Sequence, residues 1–106
     1  MTISILGQDY DLQEISAKDD VKLSDFDGYC DGFGKIIRIN NDYNMSCPTN
    51  ISDMAGYIRR IKRHEIIHAF FEESGLEKYK GDELIVEWIA NQFPKLEKAF
   101  QQAGAL

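Results

Sequence analysis

His64-Glu65-Ile66-Ile67-His68 constrains this chain more than any other stretch, because it uses both of the protein's histidines. The pattern is H-E-x-x-H. On a helix, position 68 lies about 400° around from position 64 and about 6 Å further along the axis. The two imidazoles then leave one face nearly in register, close enough to converge on a single metal ion, with a carboxylate beside them. The flanking sequence agrees with a helix. Ile51, Met54, Ile58, Ile61, Glu65 and His68 recur at spacings of three and four, which predicts one continuous helix of roughly 20 residues. Thr49, Asn50 and Ser52 compete as its amino-terminal cap, and Gly75 lies where a left-handed cap would end it.

The chain has 106 residues, enough for a single domain spanning 1–106 around one modest core. The first half reads as strands and turns. Ile3, Ile5, Tyr10 and Leu12 alternate with polar residues around Gly7-Gln8-Asp9, predicting an early hairpin. Val21 and Leu23 alternate with Lys22 and Ser24. Gly28, Gly32 and Gly34 mark a turn region, and Lys35-Ile36-Ile37-Arg38-Ile39-Asn40 is the clearest strand. That strand reads either as an exposed edge, able to pair with an extended peptide, or as an interior strand. In the second half, a helix starting near Gly81-Asp82 carries Leu84, Ile85, Trp88 and Ile89 up to Pro94, and the residues from Pro94 to Ala103 suit a further one. Phe70, Phe71, Trp88 and Phe93 read as core. The fold class expected is α+β: a small amino-terminal antiparallel sheet packed on the H-E-x-x-H helix, with one or two helices behind it.

A net charge of −6 argues against bulk attraction to nucleic acid or to anionic membranes. The amino terminus lacks a basic start and a long apolar run, and nothing approaches the roughly 20 apolar residues of a membrane span. Two cysteines, Cys30 and Cys47, are too few for a disulfide framework. A reduced, cytoplasmic protein is the expectation. Arg59, Arg60, Lys62 and Arg63 put four of the twelve basic residues just before the motif. With so negative a chain they read as a solvated helix face rather than a nucleic-acid contact.

Zinc, the expected cofactor, needs a third protein ligand beside His64 and His68 if its fourth position is to hold water. Glu83 and Glu87 compete for that role, with Asp82 a weaker third. Glu87 lies 19 residues after His68, which leaves room for the first helix to end and a second to return. Glu83 is one turn earlier on the same face, so spacing alone does not separate them. Tyr43, Tyr57 and Tyr79 are candidate donors to a developing oxyanion.

His64-Glu65-x-x-His68 followed by Glu87-Trp88-Ile89-Ala90-Asn91-Gln92-Phe93 resembles the gluzincin metallopeptidases. It is most similar to small ImmA/IrrE-like members, phage- or prophage-encoded, whose second motif has the form E-x-x-A-N-x-F. The resemblance covers about residues 28 to 96. It implies that Glu87 is the third ligand and that Asn91 supports a ligand histidine from outside the coordination sphere. It further implies a zinc-dependent metallopeptidase, a hydrolase cutting peptide bonds of a protein partner in regulatory cleavage. Glu65 would then act as general base on a zinc-bound water. A different class competes: a non-catalytic binding or assembly module whose metal only staples the fold, with Cys30 or Cys47 closing the fourth position.

Overall fold

The structure, a computed structural model, describes residues 1–42, 52–79 and 81–106. Thr2–Ile5 (β1) and Gln8–Ile15 (β2) pair antiparallel, with Ile5 opposite Gln8. Their turn is Leu6-Gly7, and both residues have positive φ, 50° and 86°. That sign pattern matches the twist of a two-residue hairpin turn. The alternation of Val21 and Leu23 does not become a strand. Asp20 accepts a hydrogen bond from the Lys22 N–H at 3.1 Å and starts a single 3-10 turn over Val21–Ser24, from which only Leu23 is buried.

Gly28–Asp31 (β3) and Ile36–Asn40 (β4) form a second antiparallel hairpin. Asp31 Oδ1 holds its turn by accepting from the N–H groups of Phe33 and Gly34 at 3.0 and 2.9 Å. The glycine-rich run is therefore half strand and half turn. Sheet order is β1-β2-β4-β3, and β2 pairs with β4 in parallel. The sheet, expected to be antiparallel, is so in its two hairpins and parallel where β2 meets β4. β4 lies between β2 and β3, antiparallel to its hairpin partner and parallel to β2. Residues 36–40 are thus interior, and β1 and β3 are the two edges.

Met54–Glu73 (α1) packs across the sheet. Ile61 and Ala69 of α1 are buried against Ile5, Tyr10, Leu12, Ile37 and Ile39. The amino-terminal cap is Asp53, whose Oδ1 accepts from Gly56 N–H at 2.9 Å, rather than Ser52. The other cap candidates, Thr49 and Asn50, lie outside the described residues. At the far end, Ser74 and then Gly75 with φ 79° terminate the helix as expected.

Glu83–Gln102 (α2) begins at Asp82, which accepts from Ile85 N–H at 3.1 Å. It runs unbroken through Pro94, so of the one or two helices expected here there is one. Val86 and Ala90 are its buried positions. Phe70, Trp88 and Phe93, read as core, are instead 41%, 57% and 47% exposed. Two helices laid on a small sheet leave their outer faces uncovered, and periodicity cannot say which apolar stripe finds a partner.

Candidate metal centre

α1 and α2 run antiparallel, so their contacts form a ladder. His68 faces Glu83, His64 faces Glu87, and Arg63 faces Ala90. The histidines lie well inside a 20-residue helix, away from fraying ends. Their Nε2 atoms approach to 3.2 Å, with the rings edge-on at 62°. Glu83 straddles the pair: Oε2 is 2.8 Å from His64 Nε2 and Oε1 is 2.9 Å from His68 Nε2. His64, His68 and Glu83 are the group able to hold a metal ion among the described residues, and no cysteine belongs to it.

The spacing can be tested against an ion. Two nitrogens bound tetrahedrally to zinc at about 2.0–2.1 Å stand about 3.3 Å apart. The 3.2 Å separation of the two Nε2 atoms meets that requirement closely. Burial lowers the pKa of His64 despite the opposing charge of Glu83, which favours a neutral ring with a lone pair to donate. The donor set and its spacing fit a small divalent cation.

Glu87 occupies a different place from the one expected. Its Oε2 lies 2.7 Å from His64 Nδ1, on the opposite edge of the ring from Glu83. Its other oxygen pairs with Arg60 and accepts from the Asn91 amide at 3.4 Å. Because the helices run antiparallel, the residue opposite the two Nε2 atoms is the one at the start of α2. The grouping with Glu87 as third ligand is not the one the fold presents; Glu83 stands there. A carboxylate on Nδ1 fixes the tautomer and leaves Nε2 to the ion. Asn91, expected beside a histidine, reaches Glu87 and is one step removed from His64.

Glu65 lies against Gly28 of β3, is 7% exposed, and lines the same cleft as His64, His68 and Glu83. Burial first and the Glu83 charge second push its pKa up to about 7. A Cβ on Gly28 would lie 3.2 Å from Glu65 Cγ and 3.0 Å from Ile61 Cγ2, so the edge strand closes on this carboxyl only because residue 28 has no side chain. Between β3 and the helices lies an open cleft of about 1080 Å³, lined by Gly28, Cys30, Glu65, His68 and Glu83 among others. Burial pushes the Cys30 thiol up to about 12, which keeps it protonated and a poor ligand. Cys47 lies outside the described residues.

Of the tyrosines considered as donors, Tyr57 hydrogen-bonds Asp27, Tyr79 lies under the Lys78 ammonium at 4.9 Å, and Tyr43 is outside the described residues. Arg60, which the sequence places only in a solvated basic face, lines the cleft. Its position four residues before His64 was the available signal, since it shares the histidine face of α1. Compared with protein-family models, with curated proteins and with solved structures, the chain matches none.

Proposed function

We propose that the protein is a metal-dependent peptidase, holding one divalent ion, zinc by preference of the donor set, through His64, His68 and Glu83. The observation that carries this reading is the 3.2 Å approach of the two Nε2 atoms in a cleft that also contains the buried Glu65. A bound divalent cation supplies positive charge that polarises a carbonyl and acidifies water. Glu65 takes the proton of the attacking water and returns it to the leaving amine. A cation held by the three ligands would lower the Glu65 pKa from about 7 and favour its ionised, basic form at neutral pH. Glu87 orients His64 through Nδ1, and Arg60 and Asn91 hold Glu87 in turn. The substrate class is an extended segment of a protein partner, because the cleft is open along a strand edge rather than closed around a small molecule.

Metal content and turnover of purified variants test the proposal. His64→Ala and His68→Ala should lose stoichiometric zinc, and so should Glu83→Ala. Glu87→Gln should weaken binding by about 10–100-fold, the usual effect of removing a partner that orients a ligand. Glu65→Gln should keep the metal while lowering peptide cleavage about 10²–10⁴-fold, read on a proteome-derived peptide mixture. Loss of metal in Glu87→Ala with retention in Glu83→Ala would reverse the ligand assignment. Zinc bound by four protein ligands, with no Glu65-dependent cleavage, would favour a metal-stapled assembly module instead.

A further inference from the structure

Pro94 lies inside α2. Having no N–H, it leaves the carbonyl four residues earlier, that of Ala90, without its helical partner. Ala90 is fully buried, at 0% exposure, so water is not a ready substitute. The missing donor comes from the other helix: Arg63 Nε donates to Ala90 O at 2.7 Å. Any residue but proline at position 94 would have satisfied that carbonyl within α2. Proline turns an intrahelical bond into one that ties α2 to α1, on the same ladder as the metal-capable group.

We propose that Arg63 is a positioning residue for the metal centre, and that it acts by satisfying the carbonyl that Pro94 leaves bare. The inference rests on the metal-site reading above. Without Arg63, Ala90 O must find water, and water reaches it only if α2 lifts from α1. Ala90 is two turns from Glu83 and one from Glu87 on a continuous helix, so lifting carries both carboxylates away from the histidines. The Arg60–Glu87 ion pair also bridges the helices, but its side chains are about one-third exposed, 31% and 35%, and salt screens such a pair. The bond from Arg63 ends on a neutral, buried carbonyl and holds at any ionic strength.

A mutant cycle on the full chain tests this, with Arg63→Met, Pro94→Ala and the double variant read by zinc titration and by melting of the metal-free protein. Arg63→Met keeps the aliphatic stem and should weaken zinc binding about 10–100-fold, as loss of a residue supporting the ligands does. Pro94→Ala restores an N–H to Ala90 O and should leave zinc affinity within about twofold of wild type. In the double variant the carbonyl is satisfied without Arg63, and affinity should return to within about threefold of wild type. Should Arg63→Met fail to fold, Arg63→Lys, which keeps a donor without the guanidinium geometry, reads the same cycle. A lowered melting temperature with unchanged zinc affinity would mean a merely structural role and would overturn the proposal. So would a zinc defect of equal size with Pro94 and with Ala at that position. Wild-type protein that takes up no zinc would sink the metal reading and this inference with it, an outcome distinct from a wild type that binds zinc while the two substitutions act additively.

Discussion

Glu65 holds its proton in the folded, metal-free protein up to a pH of about 7, above the ordinary glutamate value of 4.5, because burial disfavours the charge. The sign of the linkage follows. A group whose folded pKa is raised contributes stability that is fully present below 4.5 and is lost as pH rises through about 7. At about 1.4 kcal/mol per unit, the rise from 4.5 to about 7 corresponds to an upper bound of about 3–4 kcal/mol. Urea unfolding in chelator at pH 5 and pH 8 should therefore show the wild type losing stability that Glu65→Gln retains. Equal losses in both proteins would show that Glu65 is not the group responsible. At this scale the basic cluster is also resolved: Arg60 pairs with Glu87, Lys62 with Glu14 at 3.0 Å, and Arg63 with Ala90 O. Three of the four basic residues thus reach partners on other elements. The helical period was legible, but the partners belong to β2 and α2, and no local pattern encodes them.

Among the elements, β3 is the one a sequence reading handles worst. Glycine signals a turn wherever backbone freedom is needed, yet Gly28 is in a strand and is required there by proximity. An added Cβ would meet Arg38 O at 3.1 Å and Ile61 Cγ2 at 3.0 Å, and the first of these is backbone that cannot swing aside. Gly28→Ala should destabilise the protein by about 1–3 kcal/mol, the usual cost of overpacking, read as a lower urea midpoint. A neutral substitution would mean that the edge strand sits further from α1 than described. α1 presents the opposite case. Its apolar spacing, its H-E-x-x-H register and its Gly75 terminus all act within one helix, so each was readable before any packing was known. Pro94 leaves one or two helices open in the sequence because its local cost is real. Arg63 offsets that cost from another element.

Across the whole molecule, the core lies between the sheet and α1, while α2 is attached to α1 through Val86, Ala90 and the polar ladder. Leu84, Trp88 and Phe100 of α2 remain largely exposed. A metal bound between the helices would therefore stabilise the weaker of the two contacts. An ion that binds only the folded state adds about 4 kcal/mol at a thousandfold excess over its dissociation constant. Zinc should raise the melting temperature, chelator should reverse the rise, and His68→Ala should abolish it while leaving the metal-free melting temperature within a few degrees. A zinc-dependent shift that persists in His68→Ala would place the ion elsewhere. No helix among the described residues is long and apolar enough to cross a membrane.

Local sequence determined the α+β class, the first hairpin and the long helix with its two histidines in register. Each follows from periodicity, capping or turn chemistry, which act over a few residues. The tertiary structure decided what depends on distance between elements: that β4 is interior and parallel to β2, that β3 forms the cleft wall, and that α2 runs through its proline. It also gave different surroundings to two carboxylates one helical turn apart. Glu83 and Glu87 share a face, and only the antiparallel run of α2 against α1 brings Glu83 to both Nε2 atoms and Glu87 to Nδ1 of His64.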